Sequence, residues 1–212
     1  PCGPRGLKTA RHFLYHNKGD GTYEDVSAGS GIAKLQSSFG MTVVTADLDE
    51  DGWQDIYVAC DSTPSLLFRN NHDGTFTENG LLAGVAFDVN GRPQAGMGVD
   101  AGDYDGDGLL DILKTNFSDE TPSLYHNEGN GFFSDVTFQA GLAAQTSSVK
   151  WGTAFFDFDN DGRPDILIAS GPIYPPGINA RGVMRNEEGR KALLRNLGNG
   201  RFQDITDRGG PG

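Results

Sequence analysis

The chain has 212 residues, a net charge of −12, 31 glycines and 36% hydrophobic residues. The acidic balance argues against nucleic acid and anionic membrane surfaces as partners, since both need basic patches. No apolar run approaches the length of a membrane span, and the glycine content points to a turn-rich, β-rich chain whose core is spread over repeats.

Residues 1–7 form a Pro/Gly-rich entry containing Cys2. Residues 11–27 then carry Leu14-Tyr-His-Asn17 followed by Gly19-Asp-Gly-Thr-Tyr23, two short β-type runs around a glycine turn. Such a turn is a strong hairpin signal.

The next stretch, residues 39–79, introduces an acidic loop. Thr42-Val-Val-Thr-Ala46 reads as a strand, Asp47-Leu-Asp49-Glu-Asp51-Gly52-Trp-Gln-Asp55 as a loop, and the residues from Asp55 to Ala59 as a second strand. Leu67-Phe-Arg-Asn70 with Asp73-Gly-Thr-Phe76 repeats the first hairpin. The unit recurs over residues 95–137, with Asp103-Tyr-Asp105-Gly-Asp107-Gly108-Leu-Leu-Asp111 and Leu124-Tyr-His-Asn127. It recurs again over 151–206, with Asp157-Phe-Asp159-Asn-Asp161-Gly162-Arg-Pro-Asp165 and Leu194-Arg-Asn196. The loops begin 56 and then 54 residues apart. A regular period with four short strands per unit is the signature of β-propeller blades. The expected fold is all-β: a propeller segment made of one half blade at 11–27 and three four-stranded antiparallel blades, with the acidic loop between the first two strands of each. Propellers close with four to eight blades, so further blades of the same chain are expected to complete it, with a second copy of the chain as the lesser alternative.

Each loop reads D-x-D-x-D-G-x-x-D. Four carboxylates within nine residues repel one another unless a cation sits among them. The donors are hard oxygens without Cys or His, which selects Ca²⁺ or Mg²⁺ over zinc or copper. Many carboxylates on a flexible loop suit Ca²⁺, which takes six to eight oxygen ligands. The expected metal ligands are Asp47, Asp49, Asp51, the Trp53 carbonyl and Asp55; Asp103, Asp105, Asp107, the Leu109 carbonyl and Asp111; and Asp157, Asp159, Asp161, the Arg163 carbonyl and Asp165. Three Ca²⁺ ions are therefore expected. An EF-hand needs a bidentate Glu at position 12, where this chain has Val58, Lys114 and Ile168.

These loops resemble the Ca²⁺ loops of FG-GAP and VCBS repeats, as in integrin α-subunit propellers. The wider sequence is closer still to bacterial relatives of cartilage acidic protein, a family that often carries an ASPIC/UnbV domain. The resemblance rests on Pro1-Cys-Gly-Pro-Arg-Gly-Leu7, Asp61-Ser-Thr-Pro64, Gly91-Arg-Pro-Gln-Ala-Gly-Met-Gly98, Asn116-Phe-Ser-Asp-Glu120 and Trp151-Gly-Thr153. Cys60 stands where that family leads one to expect Asn. The resemblance implies Ca²⁺ binding, a secreted or periplasmic location, and an adhesion-like role toward a protein or glycan partner. It implies no established catalysis.

Other residues carry weaker signals. Cys2 and Cys60 either pair in an oxidising compartment or leave Cys60 unpaired and buried. His16, Arg69, His126 and Arg195 share one repeat position, and alternation of His with Arg there suggests a structural donor at a blade edge. His12 and His72 have no carboxylate or Ser partner by spacing. Met41, Met97 and Trp151 each lie six residues before a loop's first Asp and read as inter-blade core. Residues 170–191 replace short connectors with a long loop holding Arg181, Arg185, Arg190 and Lys191; it is either a partner loop or an insertion packed on its own blade. No nucleophile-elbow, zincin or phosphate-loop pattern occurs. Because some polysaccharide lyases and lipases combine Ca²⁺ with a propeller, a Ca²⁺-dependent carbohydrate-active enzyme or a lectin stays as the alternative.

Overall fold

The computed structural model describes residues 4, 6–34, 38–146, 148–172 and 191–207. Strands β1 (Tyr15–Asn17) and β2 (Tyr23–Asp25) form a two-stranded hairpin. Three four-stranded antiparallel sheets follow, each in chain order. The first holds β3 (Gly40–Ala46), β4 (Asp55–Cys60), β5 (Leu66–Asn70) and β6 (Phe76–Glu78). The second holds β7 (Gly96–Gly102), β8 (Asp111–Asn116), β9 (Ser123–Asn127) and β10 (Phe133–Asp135). The third holds β11 (Val149–Phe156), β12 (Asp165–Gly171), β13 (Ala192–Asn196) and β14 (Phe202–Asp204). The only helical elements among the described residues are one turn of α-helix, α1 (Gly80–Ala83), and 3₁₀ turns at Ile32–Lys34 and Leu142–Ala144. The fold is thus nearly all-β, an open run of propeller blades with β3, β7 and β11 side by side along its inner edge.

The pairing registers repeat. Ile56 faces Phe68, Ile112 faces Tyr125 and Ile166 faces Leu194 across the second and third strands. Apolar residues on both faces of these middle strands pack against the neighbouring sheet. One core joins Leu48, Tyr57 and Leu67 of the first sheet to Val99, Ile112 and Tyr125 of the second. Another joins Tyr104, Leu113 and Leu124 to Ile166, Ile168 and Leu194 of the third. A smaller one packs Ile32 and Leu14 against Val58, Cys60 and Phe68. Burial of this kind stabilises by roughly 25 cal/mol per Å² of apolar area removed from water, so each sheet depends on its neighbours.

The helical turns lead from the outer strand of one unit to the inner strand of the next. Gly31, Gly84 and Gly141 end or open these turns with φ of 89°, 86° and 84°. A Cβ there would meet the carbonyl oxygen of Phe76, Phe133 or Phe202 at 2.8, 2.6 or 3.2 Å, each in the outer strand of the following sheet. The left-handed backbone and the close approach both require glycine.

The reading of Met41, Met97 and Trp151 as one core position needs correction. Met97 is 4% exposed, but Met41 is 51% and Trp151 45% exposed. The register of all three inner hairpins shifts at this position, between Gly40 and Thr42, Gly96 and Val99, and Lys150 and Gly152. Met97 shares the irregularity and is still buried, so the bulge is not what separates them: β7 packs between β3 and β11, whereas β3 and β11 each lie beside one other inner strand among the described residues. Trp151 instead donates its indole N–H to Gly171 O at 3.3 Å.

Cys60 is buried and unpaired, with its thiol 3.3 Å from Ser38 Oγ; burial pushes its pKa up. Cys2 lies outside the described residues, as do residues 173–190 of the long loop.

Candidate metal centres

Each acidic loop closes the hairpin between the first two strands of its sheet. Position 1 organises the turn: Asp47 accepts the backbone N–H of Asp51 and Gly52 at 3.1 and 2.9 Å. Asp103 does the same for Gly106, Asp107 and Gly108, and Asp157 for Asp161 and Gly162. Position 5 accepts the N–H two residues on, from Trp53, Leu109 and Arg163 at 2.8, 2.8 and 3.1 Å. Positions 4 and 6 both lie in the left-handed region, with Glu50, Gly106 and Asn160 at position 4 and Gly52, Gly108 and Gly162 at position 6. The glycine was legible in sequence; the strain at position 4 was not, because Glu, Gly and Asn share no pattern.

Position 9 is a different kind of residue. Asp55, Asp111 and Asp165 are buried. In each, Oδ2 accepts the N–H of position 2 (Leu48, Tyr104, Phe158) at 3.0–3.2 Å. Oδ1 accepts the N–H of the motif asparagine in the third strand (Asn70, Asn127, Asn196) at 2.7–2.9 Å. Burial lifts the Asp111 carboxyl to about 6 and also raises that of Asp55. Asp105 is raised by burial and by the neighbouring Asp107.

The carboxylates converge. One oxygen from each of Asp47, Asp49 and Asp51 falls within a 4.8 Å group, as does one from each of Asp103, Asp105 and Asp111, and of Asp157, Asp159 and Asp165. Two oxygens bound to one Ca²⁺ stand at most about 5 Å apart, twice the metal–oxygen distance, so all three sets have a suitable spacing. Asp49 Oδ1 and Asp159 Oδ1 are buried without a hydrogen-bond partner, and both belong to position 3. Hard, partly unpaired oxygens at this spacing fit a divalent cation that prefers oxygen.

The residue just before the asparagine of the second motif turns back onto its own blade's loop. Arg69 lies 3.3 Å from Asp49, His126 3.4 Å from Asp105, and Arg195 2.6 Å from Asp159. The shared repeat position of these residues was visible in sequence; its target, position 3 of the acidic loop, was not. Two histidines have partners that spacing did not show. His72 Nε2 lies 2.5 Å from Asp51 Oδ2, its ring stacked on Trp53, and His12 Nε2 lies 2.8 Å from Ser38 Oγ. The His72 contact draws the Asp51 pKa down.

On the opposite face from the acidic loops, a cleft of about 510 Å³ lies between the connectors. Asp88, Asn90, Arg92, Glu120, Asp135 and Phe138 are among its lining residues. Its acids serve local turns: Asp88 accepts the N–H of Asn90 and Arg92, Glu120 that of Ala95, and Asp135 that of Thr137.

Blades of this design, each with an acidic hairpin loop pinned by a buried aspartate and an asparagine, define a propeller-type repeat protein. The chain belongs to the FG-GAP-like repeat family, whose model matches residues 10–58, 47–114 and 115–168. The first and third matches run from an outer hairpin through the acidic loop of the next sheet, half a blade out of step with the sheets themselves. Among curated proteins the chain is similar to cartilage acidic protein 1 of Xenopus tropicalis, 27% identical over 85% of this chain and 28% of that protein. It is 31% identical to the mouse protein of the same name over 69% of this chain and 23% of the relative. It is also 30% identical to chicken integrin alpha-6 over 69% of this chain and 14% of the integrin. The chain therefore spans about a quarter of the length of the cartilage acidic proteins it matches. Among solved structures it aligns with an Agrocybe aegerita lectin described as recognising non-reducing terminal N-acetylglucosamine, with a TM-score of 0.45, 20% identity, and coverage of 90% of this chain and 44% of the lectin.

Proposed function

We propose that this chain is a Ca²⁺-binding, non-catalytic part of an extracytoplasmic β-propeller that serves adhesion-like recognition of a protein or glycan. The observation that carries the metal reading is the threefold convergence of loop carboxylate oxygens within 4.8 Å. Positions 1, 3 and 5, the carbonyl of position 7 and the position 9 aspartate of each loop supply the ligands, and the ion offsets the repulsion among them. Calorimetric titration of the chelator-treated protein with Ca²⁺ tests this directly. About three ions per chain are expected; no heat of binding at millimolar Ca²⁺, with the fold intact by circular dichroism, would overturn it.

The domain reading also belongs to the proposal. The β1–β2 hairpin over 11–27 is the outer half of a unit, 39–79, 95–137 and 151–206 are full blades, and further blades of the same protein complete the ring. The similarity to adhesion-type integrin repeats supports recognition as the role, and with it a secreted or periplasmic location. No helix among the described residues is long and apolar enough to cross a membrane. The connector cleft favours binding over acid–base chemistry, because Asp88, Glu120 and Asp135 are engaged by backbone N–H groups. A lectin-like use of that cleft, with Phe138 as a platform beside Asn90 and Arg92, is the second reading; a glycan array on the protein with and without Phe138→Ala tests it.

A further inference from the structure

The three acidic loops are alike in their aspartates and unlike in the cations the protein itself places on them. Loop 3 holds two guanidinium groups: Arg163 against Asp161, and Arg195 against Asp159 at 2.6 Å and Asp161 at 3.5 Å. Loop 1 holds one, Arg69 against Asp49 at 3.3 Å, together with the His72 imidazole on Asp51. Among the described residues loop 2 holds none; only the His126 imidazole approaches Asp105 and Asp111, at 3.4 and 3.3 Å.

We infer that these basic side chains are built-in counter-cations that rank the three metal centres, with loop 2 the tightest site, loop 1 intermediate and loop 3 the weakest. The inference rests on the proposed metal reading. A guanidinium is permanently charged. Placed on a position 3 carboxylate, it takes up part of the negative field that a divalent ion needs and repels the ion across a few ångströms. At that range the Coulomb term between a unit and a double charge is large enough to shift affinity by tenfold or more even at high dielectric. The guanidinium must therefore swing away or share the carboxylate when the ion enters.

Arg69 has somewhere to go. Its Nη2 already donates to the carbonyl oxygens of Asn130 and Gly131, at 2.9 and 2.7 Å, in the outer turn of the next blade. A Cβ on Gly131 would collide with that guanidinium at 1.8 Å, so the glycine leaves the space in which Arg69 sits. Arg69 thus both offsets charge in loop 1 and latches the first blade to the second. Filling loop 1 with a divalent ion leaves only the latch.

Trp53 at position 7 makes loop 1 optically addressable, because an indole beside a bound Tb³⁺ sensitises its emission. The test is a Tb³⁺ titration read by tryptophan-excited luminescence, displaced by Ca²⁺, with calorimetry for the total number of sites. Arg69→Met should tighten the luminescent site by roughly tenfold and leave the others unchanged. Arg195→Met should tighten the weakest calorimetric site, and His126→Arg should weaken the tightest one. Sensitised binding whose affinity is indifferent to Arg69→Met, with His126→Arg equally silent, would overturn the ranking while leaving the metal centres standing. Absence of both luminescence and heat in the unmodified protein would instead overturn the metal reading beneath it. Arg195, half-exposed on its strand and paired within its own blade's loop, gives a variant expected to fold even if loss of the Arg69 latch disturbs the blade contact.

Discussion

The side-chain amide of Asn127 in β9 donates to the carbonyl oxygen of Leu48 at 3.0 Å, joining the second blade to the acidic loop of the first. The same amide donates to Leu110 O in its own blade, and its Oδ1 accepts the N–H of Gly129. Asn196 repeats the arrangement with Tyr104 O, Pro164 O and Gly198 N–H. The motif asparagine is therefore a rivet between consecutive loops. Asn127→Ala leaves two carbonyls and one N–H without these partners in a buried site and should cost about 2–4 kcal/mol. Asn70 is given one such carbonyl, Gln54 O, at an exposed position, so Asn70→Ala should cost clearly less. Urea unfolding of both variants checks the order.

Position 9 should matter with or without metal. Asp111→Ala removes the acceptor of two backbone N–H groups, from Tyr104 and Asn127, and should destabilise by roughly 2–5 kcal/mol even in excess chelator. Asp107→Ala removes an acceptor on the exposed loop and should be mild under the same conditions. Thermal melts in chelator separate the two.

Divalent ions that bind only the folded loops should raise the melting temperature. Each site contributes about 2.7 kcal/mol at a hundredfold excess over Kd. Asp107→Ala should lose part of the Ca²⁺ response and keep the rest. A melting curve unmoved by Ca²⁺ in the unmodified protein would count against a structural role for the ions.

Lys150 supplies a pH signature. Its ammonium is buried between Phe117 O and Ser148 O, at 3.1 and 2.9 Å, and burial lowers its pKa from 10.5 to about 8. Between those values the unfolded chain holds a proton that the folded protein has released. Stability from this group therefore rises with pH across the window, by roughly 3 kcal/mol in all, and the penalty is fully present below pH 8. Lys150→Met should flatten that rise, as read from unfolding free energies between pH 7.5 and 10.

Lys114 makes the opposite case to the rivets. Its side chain is wholly buried, its Nζ has no hydrogen-bond partner among the described residues, and it lies over the Tyr125 ring at 5.6 Å, with Glu120 near enough to feel its charge. An apolar side chain of similar volume avoids the desolvation cost. Lys114→Met should be neutral or stabilising by about 1–2 kcal/mol, measured by urea unfolding.

The acidic loops, the strands on either side of them and the repeating unit were all legible in the sequence, because each depends on residues a few positions apart: an alternating run, a glycine where φ must be positive, carboxylates two residues apart. In the first full sheet the strand ends came within two residues of those expected, with β3 over Gly40–Ala46 and β4 over Asp55–Cys60. What tertiary structure decided lies in contacts between distant residues. Asn127 and Leu48 are 79 positions apart and Asn196 and Tyr104 are 92, so no local pattern announces the rivet. The same holds for Arg69 reaching both Asp49 and the Gly131 turn, and for His72 meeting Asp51. Met97 is buried and Met41 and Trp151 are not, although all three share one repeat position, because only β7 has an inner strand on both sides among the described residues. Sequence fixes where carboxylates gather; only the packing of one blade on the next decides which of their oxygens remain unpaired, and with which cations they are shared.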